Sequence, residues 1–131
     1  AGDGSYHISW FTGGERNHGI FYARFDPATA ATSRLAMISQ SPTASHPYLA
    51  ADGDRLFLVW KEFDGANSNV YLVESSNSGK NWSDRRTLAF TAGASDHPFL
   101  AAYNGRILFS WQTRDNGLTV IDIDNEETGI N

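Results

Sequence analysis

Two histidines recur with matching neighbours. Ser45-His46-Pro47-Tyr48-Leu49-Ala50-Ala51 returns as Asp96-His97-Pro98-Phe99-Leu100-Ala101-Ala102, and His97 lies 51 positions after His46. A neutral imidazole can ligate a metal, carry a proton or hold a hydrogen bond. Two histidines with no adjacent carboxylate and no short ligand spacing do not compose a metal set. Each is therefore expected to be hydrogen-bonded to loop backbone, and neither metal nor cofactor is expected. The remaining groups with chemical potential fall in three short mixed-charge stretches: Gly14-Glu15-Arg16-Asn17-His18, Lys61-Glu62-Phe63-Asp64 and Gln112-Thr113-Arg114-Asp115. Paired carboxylates perform glycoside chemistry only at defined separations, which adjacency in sequence does not establish. No catalytic residue is assigned.

The elements that must position these groups follow from the same recurrence. Leu56-Phe57-Leu58-Val59-Trp60 corresponds to Ile107-Leu108-Phe109-Ser110-Trp111 and to the N-terminal Tyr6-His7-Ile8-Ser9-Trp10, so the three tryptophans are 50 and 51 positions apart. A third segment follows each one after a polar loop: Ile20-Phe21-Tyr22-Ala23, Val70-Tyr71-Leu72-Val73 and Leu118-Thr119-Val120-Ile121. Short runs of β-branched and aromatic residues between Gly, Asn, Asp and Pro are strands between turns. The alanine-containing tract from Pro27 to Met37 has no apolar helical stripe and is read as a loop leading into a strand.

In the middle repeat the reading places strands at Pro47–Ala51, Arg55–Lys61, Asn69–Ser75 and Arg86–Phe90, a four-stranded meander. The second and third of these are apolar on both faces, as a sheet sandwiched between two others requires. The predicted fold class is all-β: about three four-stranded antiparallel meanders of the propeller kind, the first and last incomplete, with repeats at approximately 1–44, 45–94 and 95–131. A chain of 131 residues fits a single domain.

Strand direction alternates in a meander, so the loops before the first strand and between the second and third emerge at one end. That end collects the candidate ligand-binding residues Glu15, Arg16, His18, His46, Lys61, Glu62, Asp64, His97, Arg114 and Asp115. Loops on a rigid scaffold are where binding resides; the plain alternative for each residue is a solvated turn. Trp10, Trp60 and Trp111 are expected to pack between sheets, given the area a tryptophan buries. The net charge of −5 argues against nucleic acid, whose binding rests on clustered Lys and Arg. No apolar run approaches the roughly 18 residues of a membrane span. Cysteine is absent, which excludes disulfides and thiolate sites.

The stretch Ser75-Ser76-Asn77-Ser78-Gly79-Lys80-Asn81-Trp82 resembles the Asp-box, or bacterial neuraminidase repeat, Ser-x-Asp-x-Gly-x-Thr-Trp. Ser75, Gly79 and Trp82 match, while Asn77 stands for the aspartate and Asn81 for the threonine. Asn makes the same local turn bonds as Asp, and Gly permits positive φ. Together with the His-Pro segments and the tryptophan-ended strands, this resembles the C-terminal blades of sialidase-like propeller proteins. The resemblance implies structural roles for Ser75, Asn77, Gly79 and Trp82, and a periplasmic or extracellular location, toward which the initial Ala1 also points. Active sialidases, as the resemblance implies, use three arginines, a Tyr–Glu nucleophile pair and an Asp acid/base. Here the Arg-Ile-Pro signature is replaced by Arg106-Ile107-Leu108, and no catalytic residue is carried over. The expected function is a non-catalytic module for ligand binding or assembly. Its partners would be a glycan or small ligand, and either further copies of itself or the remainder of a longer propeller. The alternatives are the C-terminal part of an exo-α-sialidase or related glycoside hydrolase, and a small oligomeric propeller lectin.

Overall fold

The structure, a computed structural model, describes residues 4–13, 18–33 and 35–128. Strands account for most of it: β1 (Tyr6–Thr12), β2 (Gly19–Asp26), β3 (Ala31–Thr32), β4 (Ala36–Ser39), β5 (Ser45–Asp52), β6 (Arg55–Phe63), β7 (Ser68–Ser75), β8 (Arg86–Thr91), β9 (Phe99–Tyr103), β10 (Arg106–Thr113) and β11 (Gly117–Asp122). A short 3₁₀ segment, Ile123–Thr128, follows. Among the described residues no helix is long and apolar enough to cross a membrane.

Three antiparallel sheets form in chain order. In the first, β2 pairs with β1 on one side and with β3 and β4 on the other. The second runs β5-β6-β7-β8 and the third β9-β10-β11. The expected strands of the middle repeat are present, each extended by at most two residues at an end. In the tract after Pro27, the Asp26 carboxylate accepts the Ala28 N–H at 2.9 Å and closes a turn. The chain then pairs with β2 in two pieces, Ala31–Thr32 and Ala36–Ser39.

The second sheet is buried on both faces, which explains the continuous apolar run in β6. Leu56, Phe57, Leu58, Val59 and Trp60 are all 0% exposed although their side chains alternate sides. Leu58, Trp60 and Val73 pack with Ile20 and Ala44 against the first sheet. Phe57, Val59, Val70 and Leu72 pack with Leu100, Ile107, Phe109 and Trp111 of the third. Full burial of each such side chain contributes roughly 1.5–3 kcal/mol relative to exposure. The sheets meet along β1, β5 and β9, which run beside one another. They open apart between β8 and β11, where a groove of about 890 Å³ is lined by Leu88, Phe90, Leu118 and Ile121 among others.

The turn from β7 to β8 is closed by the expected side chains. Ser75 Oγ accepts the N–H of Gly79 at 2.9 Å and of Asn77 at 3.3 Å, and donates to Asn77 Oδ1 at 2.9 Å. Asn77 Oδ1 also accepts the Asn81 N–H at 2.9 Å. Gly79 has φ +87°, and a Cβ there would overlap the Tyr22 ring of the first sheet. Trp82 meets that ring edge-on at 5.0 Å and packs on the core between the first two sheets. The turn therefore caps its own hairpin and also seats the preceding sheet.

Candidate functional site

Where β1, β5 and β9 come together, a groove of about 410 Å³ is lined by Trp10, Phe11, His46, Tyr48, His97 and Phe99, with Ser9, Pro47 and Pro98 completing it. Its volume falls in the range of small-molecule sites, roughly 300–1,000 Å³. Each repeat contributes one stretch. The first gives the end of β1, the second the start of β5, and the third the segment entering β9.

His46 stands at an irregularity in the pairing of β5 with β6, where the register shifts between Ser45 and Tyr48. Its φ is +53°, a left-handed conformation uncommon for a non-glycine residue. Bulges of this kind re-aim side chains. Here the His46 ring stacks on His97, with centroids 3.6 Å apart and planes 17° from parallel, and tilts against Phe11 at 5.0 Å. Tyr48 and Phe99 continue the contact edge-on at 5.4 Å. Trp10 stacks on Phe21 at 5.8 Å.

The His46 imidazole is held below its ordinary range by burial first, then by the proximity of His97 and Lys61. Its Nδ1 is buried and has no hydrogen-bond partner among the described residues. Lys61 Nζ donates to the carbonyls of Ser95 and Asp96 at 3.4 and 3.3 Å, tying the second sheet to the segment that carries His97. Burial lowers the Lys61 pKa against the opposing pull of Asp96. Trp111 Nε1 donates to the same Asp96 carbonyl at 2.9 Å, which fixes that segment from the third sheet as well.

The shared end expected of the loops is present. Thr43, before β5, exchanges hydrogen bonds with the Phe63 backbone, and Asp96 N–H donates to Gln112 O at 2.8 Å. The candidates among the described residues do not, however, form one site. His46 and His97 meet in the groove, with Lys61 behind them. Lys61 is the expected end of its strand and Glu62 is expected in the loop beyond it; both belong to β6, because the strand continues to Phe63.

Glu62 is buried and structural: its carboxylate accepts Trp60 Nε1–H and Ser39 Oγ–H at 2.7 Å each and lies 3.5 Å from Arg85. Asp64 is engaged by its own turn. It accepts the Asn67 and Ala66 N–H groups and the Asn69 amide, and these bonds hold its pKa below the ordinary carboxylate value. Arg114 and Asp115 pair with each other at 3.2 Å on an exposed turn. His18 lies just before β2 and lines no part of the groove. Glu15 and Arg16 lie outside the described residues.

Composition of the groove is mainly aromatic, and four of its members were not singled out from sequence as binding residues: Trp10, Phe11, Tyr48 and Phe99. The signal was present in the His-Pro-aromatic triplets at 46–48 and 97–99. Trp60 and Trp111 are buried between sheets as expected, whereas Trp10 is half-buried and reaches the groove. No family model matches the chain, and no curated protein matches it either.

Proposed function

We propose that this chain is a non-catalytic, sialidase-like β-propeller module that binds a glycan unit, or a small ligand of similar ring shape, in the groove around His46 and His97. The observation that carries the reading is the groove's make-up: aromatic faces from three sheets surround two stacked imidazoles. Aromatic side chains offer broad apolar faces to a ring, and a few polar groups among them fix its orientation. The propeller part of the reading is supported by the middle sheet's burial on both faces and by the Ser75–Trp82 turn.

Binding without catalysis is supported by the engagement of nearby acids. Glu62 is committed to Trp60 and Ser39, and Asp64 to its own turn. Isothermal titration against a panel of neutral and acidic oligosaccharides tests the reading. A binding partner should emerge whose affinity falls at least tenfold in Tyr48→Ala and Phe99→Ala, with melting temperature nearly kept because both side chains are exposed. Binding that ignores both substitutions would refute the groove assignment, and hydrolysis of any member would refute the non-catalytic part.

A further inference from the structure

The outer faces of the first and third sheets both expose apolar side chains. In the second sheet Trp60 lies on the side that packs against the first sheet; in the third, Trp111 packs back on the second. Trp10 is the corresponding residue of the first sheet. Strand alternation puts Tyr6 and Ile8 on its side, and register carries that side through Phe21 to Met37. Where another sheet precedes it, the tryptophan is 0% or 1% exposed; around Trp10, Tyr6 is 63%, Ile8 47% and Met37 46% exposed.

At the opposite end the complementary surface is partly exposed among the described residues. The pairing Lys61↔Val70 and Val59↔Leu72 in the second sheet matches Gln112↔Leu118 and Ser110↔Val120 in the third. Leu108, Leu118 and Val120 therefore correspond to Phe57, Val70 and Leu72, the residues on which the Trp111 sheet is seated. Leu118 is 58% exposed, at the sheet edge where it also borders the groove beside β8. The described residues thus expose a tryptophan-type face and a matching seat, and contiguous exposed apolar faces mark interaction surfaces.

We infer that a second copy of this chain covers both faces head to tail, the Ile8–Trp10–Met37 face of one copy resting on the Leu108–Leu118–Val120 face of the other. The same sheet-on-sheet contact already occurs twice within the chain, so the partner continues an existing interface instead of creating a new kind. A head-to-tail contact closes when the rotation returns to its start. Two copies supply six sheets from three each, inside the range of about four to eight that closed rings use. The inference rests on the stacked-sheet part of the proposed function and not on the groove's ligand, so its test contains no ligand.

Sedimentation equilibrium of the whole chain at rising concentration should give the mass of two chains. Ile8→Lys and Leu118→Glu alter exposed side chains on opposite faces; each alone should give the mass of one chain with an unchanged circular dichroism spectrum. Met37→Glu provides a second variant on the Ile8 face. Mixing Ile8→Lys with Leu118→Glu should restore the two-chain mass, because one junction is then unaltered and the other sets Lys against Glu. A wild-type chain that stays at one-chain mass overturns the inference. So does a dimer dissolved by Ile8→Lys but indifferent to Leu118→Glu, since that outcome means the first sheets meet face to face.

Discussion

His46 and His97 stack ring on ring at 3.6 Å although 51 positions separate them in the chain. Burial lowers the His46 pKa, and the proximity of His97 and then Lys61 pushes it the same way.

An NMR pH titration should place the His46 midpoint below the ordinary 6.5. His97→Gln should raise that midpoint only part of the way, because burial is the largest cause. The sign for stability follows from linkage. Below the ordinary value the unfolded chain binds a proton that folded His46 does not, so stability falls on acidification until the folded midpoint is reached. A His46 midpoint at or above the ordinary value would contradict the placement of its ring.

Trp60→Ala should destabilise the fold by about 3–5 kcal/mol, the usual range for a buried aromatic truncated to alanine. Trp10→Ala should lose clearly less, because its ring is half-buried. Chemical denaturation of both variants compares them directly, and equal losses would mean that Trp10 is as enclosed as Trp60.

Glu62→Ala should cost about 1–3 kcal/mol, since it leaves the buried Trp60 N–H without an acceptor. Glu62→Gln keeps an acceptor oxygen in place and should lose less than the alanine variant. A neutral Glu62→Ala would show that the Trp60 N–H finds another acceptor.

Arg114→Ala should change stability by no more than about 0.5 kcal/mol, as expected of a surface residue away from special features. Gly79→Ala, by contrast, should lower the melting temperature sharply: φ is positive there and the added Cβ meets Tyr22 of the neighbouring sheet. If Gly79→Ala melts like wild type, the turn does not seat the first sheet.

Fold and site were legible to different degrees, for a physical reason. Strand identity is written in local patterns, and the runs at 56–60 and 107–111 announced strands and their period directly. Lys61 and Glu62 look like a strand end and the start of a loop, because charge usually ends a strand. Their burial depends on partners in other parts of the chain, Ser39 on β4 for Glu62 and the Ser95 and Asp96 carbonyls for Lys61. The equivalence of His46 and His97 placed them at one end of neighbouring sheets, but their direct contact depends on the irregularity at Ser45–Tyr48, which no local pattern specified. Trp10 matched Trp60 and Trp111 in position and differs from them in burial, since a tryptophan's burial is decided by the sheet that covers it.

The central claim is that successive repeats fold into neighbouring sheets whose equivalent ends meet in one groove. Nuclear Overhauser effects between the imidazole ring protons of His46 and His97 test it most directly. The stacked geometry predicts strong cross-peaks between the two rings and from His46 to Phe11. Rings that show cross-peaks to their own chain neighbours but none to each other would contradict the account.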